Sequence, residues 1–354
     1  MNIITPVSSY TGYGITGYNI LNSLSLTNSS IKLFPIGNIS LESHWNKKMV
    51  SQCINNKINF DPLEPCVKIW HDNDLITRTC GKSRYGVLSF FELDTISTLS
   101  RLNYNLADIV FAPSQWAKDI LIENNINSKI IVCPQGVDRS IFKDEVWPND
   151  KDIEKYIFIN IGKWEIRKGH DILVDIFNQA FTSDDNVELW MINHNSFLNT
   201  EQTSEWIKLY KNSKLSAKIK IFDRLPSQLH LAKIISYADC GIFPSRAEGW
   251  NNEAIEVMSM NKPVIITNYS AHTEYCNDTN SYLINIENKI PAIDNIWFNG
   301  EGSWADIDDS CIDQAINYMQ YVYKNDIRTN IHGISTAQKY TWANTAKIIT
   351  EYMS

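Results

Sequence analysis

Cys240-Gly-Ile-Phe-Pro-Ser-Arg-Ala-Glu-Gly-Trp-Asn-Asn-Glu-Ala-Ile-Glu256 runs from a short apolar segment through a turn into an amphipathic pattern. Such a stretch reads as strand, loop and helix, the unit from which a parallel sheet wrapped by helices is built. A helix opening at Asn252 begins with amides that lack intrahelical acceptors, and its dipole attracts an anion such as a diphosphate. Gly249 permits a tight turn and the close approach of a ligand. Asn251 or Asn252 suits the N-cap. Glu248 precedes the helix and can face a sugar, while Glu256 lies a little over one turn inside it and can face a nucleoside. A plainer account is also open, because Glu253 and Glu256 suit any helix start.

Upstream, the strand-like Tyr156–Asn160 leads into Gly162-Lys-Trp-Glu-Ile-Arg-Lys-Gly169. Three cations at a strand's carboxyl end can neutralise a departing diphosphate without a metal, or can form a solvated basic turn. The alternation continues with strands over Val187–Ile192, Lys218–Phe222 and Pro263–Thr267, and helices over Lys168–Ala180, Glu201–Asn212, Leu229–Ala238 and Asn252–Met260. Ser310–Tyr323 and Ile334–Met353 read as helices at the end. In the first half, strands are expected at Met1–Val7, Cys66–Trp70, Tyr85–Phe90, Ile109–Ala112 and Lys129–Cys133. Helices are expected at Thr16–Leu26, Asp94–Asn105 and, capped by Ser114, Gln115–Glu123. Between Asp144 and Lys155 the chain turns polar around Pro148, a linker or hinge. The pattern predicts an α/β protein of two doubly wound domains, residues 1–148 and 149–333, followed by a helical tail 334–354. A ligand is expected in a cleft outside the carboxyl ends of the strands.

At the amino end, Gly12-Tyr-Gly-Ile-Thr-Gly17 satisfies the dinucleotide pattern G-x-G-x-x-G between a strand and a helix. No clear second strand ends in an acid about 20 residues on, since Leu41-Glu42 lies in a polar stretch. A tight β-to-α turn explains the glycines equally well. Among other candidates, His71 opens His-Asp-Asn-Asp74, whose D-x-D spacing can bind a metal-nucleotide or arise by chance. Trp116 and Trp206 fit core positions, whereas Trp164 and Trp250 stand in loops where a ring can pack on a sugar or base.

Composition bounds the reading. With 354 residues, 44% hydrophobic and 20% charged, the chain can bury two cores. A net charge of −8 argues against a surface that coats nucleic acid. Seven scattered cysteines in an odd number, without C-x-x-C, fit reduced buried thiols. Neither a secretory signal nor a membrane-spanning run is visible, so a cytoplasmic protein is expected, with peripheral membrane contact left open.

Together the motifs resemble the family-4 retaining glycosyltransferases of GT-B fold, two Rossmann-like domains facing a central cleft. Glu248 and Glu256, followed by Met258, match that family's E-x7-E motif, and Gly162-Lys163 through Lys168-Gly169 matches its G-R-x-x-x-x-K-G loop in length. Pro263-Val-Ile-Ile-Thr and Glu274 match the next strand and acidic loop. Ala112-Pro-Ser-Gln-Trp-Ala, Cys133-Pro-Gln-Gly-Val-Asp-Arg-Ser-Ile-Phe142 and Tyr340-Thr-Trp342 resemble segments ending the N-terminal domain and the tail that crosses back to it. The resemblance implies a nucleotide-diphosphate sugar as donor substrate and no cofactor. Lys163 and Lys168 would hold the diphosphate, Glu256 the ribose and Glu248 the transferred sugar. Gly249 and the amides of Trp250, Asn251 and Asn252 would add contacts, and Gly12 and Gly14 would close over the donor. Lys163 departs from the usual Arg, keeping charge but losing bidentate geometry. Asn261 replaces a smaller residue before Lys262-Pro263. Glu92, in Phe90-Phe-Glu92, holds the place of a histidine common in the family. It can accept a sugar hydroxyl or an acceptor proton, steady a developing cation, or simply neighbour a helix cap. Acceptor choice would lie with His71, Glu92 and the loops 37–59 and 72–84. A glycan, a lipid-linked sugar, a protein and a hydroxymethylated base in DNA all remain open as acceptors. A sugar-nucleotide epimerase and a non-catalytic nucleotide-sugar-binding subunit are the rival readings.

Overall fold

Ile69, Leu88 and Phe111 align on three adjacent strands whose residues are buried on both faces, as parallel strands covered by helices must be. The computed structural model describes residues 1–77, 80–144, 148 and 150–354. They form two compact units, Met1–Gly136 with Lys339–Ser354, and Val137–Gln338.

In the first unit β1 (Asn2–Thr5), α1 (Gly12–Thr27), β2 (Lys32–Pro35), α2 (Lys47–Asn55), β3 (Cys66–Ile69), β4 (Tyr85–Leu88), α3 (Thr98–Asn105), β5 (Ile109–Ala112), α4 (Gln115–Glu123) and β6 (Lys129–Val132) follow in order. The six strands make one parallel sheet ordered β2-β1-β3-β4-β5-β6. β2 and α2 were not expected. β2 has only four residues, with Lys32 buried against Glu64, so it shows no apolar alternation. Ser114 caps α4 as expected, accepting from the Ala117 amide at 3.1 Å.

In the second unit β7 (Tyr156–Gly162), α5 (His170–Ala180), β8 (Val187–Asn193), α6 (Thr200–Lys211), β9 (Ile219–Ile221), α7 (Gln228–Tyr237), β10 (Cys240–Phe243), α8 (Asn252–Ser259), β11 (Val264–Thr267) and β12 (Tyr282–Ile284) build a parallel sheet ordered β12-β11-β10-β7-β8-β9. An unexpected antiparallel hairpin, β13 (Lys289–Ile293) and β14 (Asn299–Ala305), precedes α9 (Asp309–Lys324) and α10 (Ile331–Lys339). The expected helix over Ile334–Met353 is in fact two. α10 ends at Lys339, and Thr341 caps α11 (Trp342–Met353) by accepting from Asn344. Trp342, Ala346, Ile349 and Met353 of α11 recur at helical spacing and join the first unit's core with Ile20, Leu21 and Leu24 of α1.

The segment read as a linker lies partly outside the described residues. Within its described part Lys151 is buried, its ammonium paired with Asp239. All seven cysteines are free and buried. No helix among the described residues is long and apolar enough to cross a membrane.

Candidate active site

The loop after β7 and the loop after β10 are laced together at the carboxyl end of the second sheet. Gly169, with φ +73°, lies so close to Pro244 that an added Cβ would stand 2.2 Å from its carbonyl oxygen. The Arg246 amide donates to the Arg167 carbonyl at 2.6 Å, and the Arg246 guanidinium makes two 2.8 Å bonds to Asp171 at the start of α5. His170 braces the first loop from beneath. Its Nδ1 accepts from the Glu165 amide at 3.2 Å, and its Nε2 faces Asn160 Oδ1 at 2.9 Å. Burial pushes this imidazole down to about 3, so it stays neutral. Trp164 is 2% exposed, stacked on Trp206 in the core, and is therefore unavailable to a ligand.

These loops converge on Glu248, which is 4% exposed. Its Oε1 accepts from Lys168 Nζ at 2.8 Å and Ser245 Oγ at 2.9 Å, and its Oε2 accepts from Arg167 at 2.7 Å. Burial alone would raise this carboxyl, but Arg167 and Lys168 outweigh it and hold the group far below the usual carboxylate range. Glu248 is thus ionised, and three bonds leave about one of its four acceptor positions on Oε2. The same pairing raises Lys168 against the opposing pull of burial. Arg167 also bonds the Ala247 carbonyl at 2.7 Å and Glu165 at 2.6 Å, making a continuous chain Glu165–Arg167–Glu248–Lys168. Lys163 behaves differently. Its side chain is 49% exposed, pairs with Glu165 at 3.0 Å and lies over the Phe197 ring.

α8 begins beside Glu248. The left-handed residue at its cap is Asn251, φ 75°, whereas Gly249 is not among the positive-φ glycines. Asn251 Oδ1 accepts from the Ala254 amide at 3.2 Å, while its Nδ2 donates to His272 Nε2 at 2.9 Å. His272 Nδ1 faces the Thr267 carbonyl at 3.0 Å, which places the proton on Nδ1 and leaves Nε2 to accept. Burial pushes His272 down to about 4. Tyr275 donates to the carbonyls of Trp250 and Asn251 at 3.1 and 3.2 Å. The Trp250 ring is 3% exposed and tilted against Tyr275, so this residue can offer a ligand its backbone but not its ring. Asn252, the first helical residue, has a buried Oδ1 without a partner among the described residues. Glu256 is buried one turn further along.

The other candidates lie in the first unit. Thr11 caps α1, so Gly12 and Gly14 are helical rather than in a loop. Gly14 and Gly17 have packing reasons, since a Cβ on either would stand 2.2 Å from the backbone oxygen of Ser8 or Pro6. Gly12 faces open space. His71 is exposed beyond β3, and Glu92 is half-buried beyond β4. Asp74 binds Lys68 at 3.2 Å, an ordinary ion-pair role for one half of D-x-D. Part of the loop 72–84 lies outside the described residues.

Sequence reasoning missed Arg167 as the holder of Glu248, and with it Glu165, Ser245 and His272. The family pattern marks the first and last cations of the loop and leaves its interior unspecified. Only contacts distant in sequence show what Arg167 does.

The sequence profile described as "Glycosyl transferases group 1" matches residues 155–296. An uncharacterised glycosyltransferase of Methanocaldococcus jannaschii is 28% identical over 183 residues, 46% of this chain, and the match spans 40% of that relative's length. Sucrose-phosphate synthase from Thermosynechococcus elongatus superposes with a TM-score of 0.72, covering 99% of this chain and 97% of that one at 13% identity. For a glycosyltransferase from Rickettsia africae the TM-score is 0.67, with 99% and 97% covered at 18% identity. For Anabaena HepE, solved with UDP and glucose, it is 0.69, with 99% and 98% covered at 14% identity. At such identities the likeness is one of fold, and the two parallel six-stranded sheets match GT-B.

Proposed function

We propose that this chain, whose residues 155–296 match the group 1 glycosyl transferases, transfers a sugar, with retention, from a nucleotide-diphosphate sugar to an acceptor hydroxyl. The observation that carries the reading is the ionised Glu248, held by Arg167 and Lys168 at the mouth of α8. A carboxylate tied to two cations is a poor nucleophile but a good acceptor for a sugar hydroxyl. Lys168 spends one of its three N–H donors on Glu248, and the others can reach the diphosphate. Lys163 is exposed enough to leave Glu165 and join it. The amides of Trp250 to Asn252 and the α8 dipole add positive potential, with Gly249 leaving room beside them. Asn252 Oδ1 awaits a donor, and Glu256 takes the ribose. The part given to Gly12 and Gly14 rests on the family resemblance alone.

In the reaction, the acceptor oxygen attacks the anomeric carbon on the face from which the diphosphate leaves. The bond from that carbon to the β-phosphate oxygen breaks, and the acceptor proton passes to the leaving phosphate. Glu92 and His71 are assigned to the acceptor. Charge on the leaving group is met by lysines and helix dipole, so transfer is expected to proceed in EDTA.

The test is thermal shift with UDP, GDP, ADP, CDP and TDP, beside Lys168→Ala. A nucleotide at 100 times Kd adds about 2.7 kcal/mol, several degrees. Stabilisation of the wild type by one nucleotide, lost in Lys168→Ala, supports the site, and its sugar conjugates then test turnover. Lys168→Ala should lower kcat about 10²-fold. Absence of any shift in folded protein would remove the assignment. Donor conversion without nucleotide release would make the chain an epimerase, and binding without turnover a binding subunit.

A further inference from the structure

Tyr13 on the first turn of α1 lies among rings from the ends of two strands. Its centroid is 5.6 Å from that of Trp70, 4.7 Å from His71 and 5.0 Å from Phe90. The hydroxyl of Tyr13 is occupied. It donates to the Phe90 carbonyl at 3.2 Å and accepts from the Phe90 amide at 3.0 Å, with Ser89 Oγ at 3.2 Å. That pairing fixes α1 to the segment after β4, and the rings rather than the hydroxyl are left to meet a ligand. Trp70, Tyr13 and Phe90 are half-buried, and His71 is exposed. The patch stands at the carboxyl ends of β3 and β4, where doubly wound sheets bind ligands. Asp72 directly follows His71, and Glu92 stands two residues beyond Phe90, so two acidic residues neighbour the ring-bearing positions in the chain.

We propose that Tyr13, Trp70, His71 and Phe90, with Asp72 and Glu92, form the acceptor subsite and take an uncharged, hydroxyl-rich saccharide. This rests on the glycosyltransferase reading above. A sugar ring presents C–H edges of slight positive charge to the negative face of an aromatic ring, and hydroxyls to carboxylate oxygens. A nucleobase also stacks on such rings, but it arrives with phosphodiesters, which two neighbouring acids repel. A lipid-linked diphosphate carries the same penalty. The bound saccharide puts a hydroxyl beside Glu92, the acid already assigned to the acceptor.

Two arms separate this proposal from the reading it rests on. Saturation-transfer NMR without donor probes binding of uncharged oligosaccharides (maltose, cellobiose, lactose and mannobiose) against sulfated oligosaccharides and a hydroxymethylcytosine oligonucleotide. At least one uncharged oligosaccharide should show transfer, the anionic probes none, and Trp70→Leu and His71→Ala should weaken binding at least tenfold. Retention of the thermal shift with nucleoside diphosphate shows that these variants fold. In the second arm, release of nucleoside diphosphate from the donor sugar should rise at least tenfold with the binding saccharide. Binding to the anionic probes alone, silence of every uncharged probe, or wild-type affinity in both variants would overturn the subsite. Saccharide binding that depends on Trp70 without any donor consumption would leave the subsite standing and sink the transferase reading.

Discussion

Arg167 bridges two carboxylates, Glu165 at 2.6 Å and Glu248 at 2.7 Å, with all three side chains no more than 7% exposed. A guanidinium can serve both because its donors fan out in a plane, whereas an ammonium is a single point. Arg167→Lys keeps the charge, so folding should survive, yet Glu248 loses its fixed orientation. The expected outcome is a 10- to 10²-fold fall in kcat with a smaller change in donor KM, read from steady-state nucleotide release. A proportionate rise in KM with unchanged kcat would mean that Arg167 only helps bind the donor. The two buried imidazoles make a separate prediction about pH. In the unfolded chain they titrate near 6.5, but in the fold only at about 3 for His170 and about 4 for His272. Between about 4 and 6.5 the unfolded state therefore binds more protons, so stability is complete above pH 6.5 and falls as the pH drops. At pH 5 the loss is about 2 kcal/mol per histidine, from roughly 1.5 units at 1.36 kcal/mol each. Urea midpoints at pH 7 and pH 5 should differ for the wild type and differ less for His272→Gln. An equal pH dependence in both proteins would refute the assignment for His272.

Among the elements, α8 shows how much a short helix depends on what precedes it. Its eight residues contain no glycine or proline, and its start depends on Asn251 in a left-handed conformation with a side chain that caps Ala254. Asn251→Gly keeps the backbone at little cost and loses the cap and the bond to His272, whereas Asn251→Ala loses both and strains the turn by roughly 1–2 kcal/mol as well. If the donor is held by amides of this turn, glycine should hold nucleotide affinity within a few-fold of wild type and alanine should lose tenfold or more, measured by calorimetric titration. Equal losses would place the affinity in the Asn251 side chain. The strand–loop–helix unit around Glu248 was legible because strand, turn and helix each left a local signature. Neither the His272 brace nor the Arg246–Asp171 clamp was, since both join residues from separate crossovers. β12 and the hairpin β13–β14 were missed for a related reason. β12 has three residues, and β13 alternates around Pro291 with only Ala292 buried, so neither carries a full period of buried apolar positions.

For the molecule as a whole, the alternation of strands and helices announced two sheets, and the compact units are centred on them. The break inside the tail was harder to read. Ile334 to Met353 keeps one helical period almost throughout, and the break at Tyr340–Thr341 is visible only as a cap. Past that break α11 joins the first unit, and Gly136 makes room for it, since a Cβ there would stand 2.1 Å from the Trp342 amide nitrogen. Trp342 is 7% exposed within the core that contains Ile20, Leu21 and Leu24. Trp342→Ala should therefore cost the first unit about 3–5 kcal/mol. The second unit has its own core, formed by residues such as Phe158, Phe177 and Leu189, and should continue to bind nucleoside diphosphate. Calorimetry with and without the nucleotide checks this. The variant should melt its first unit early, and the transition that remains should still rise with ligand. A single transition that falls as one, with the ligand response lost, would show that α11 supports both units, and the donor site would then depend on the tail.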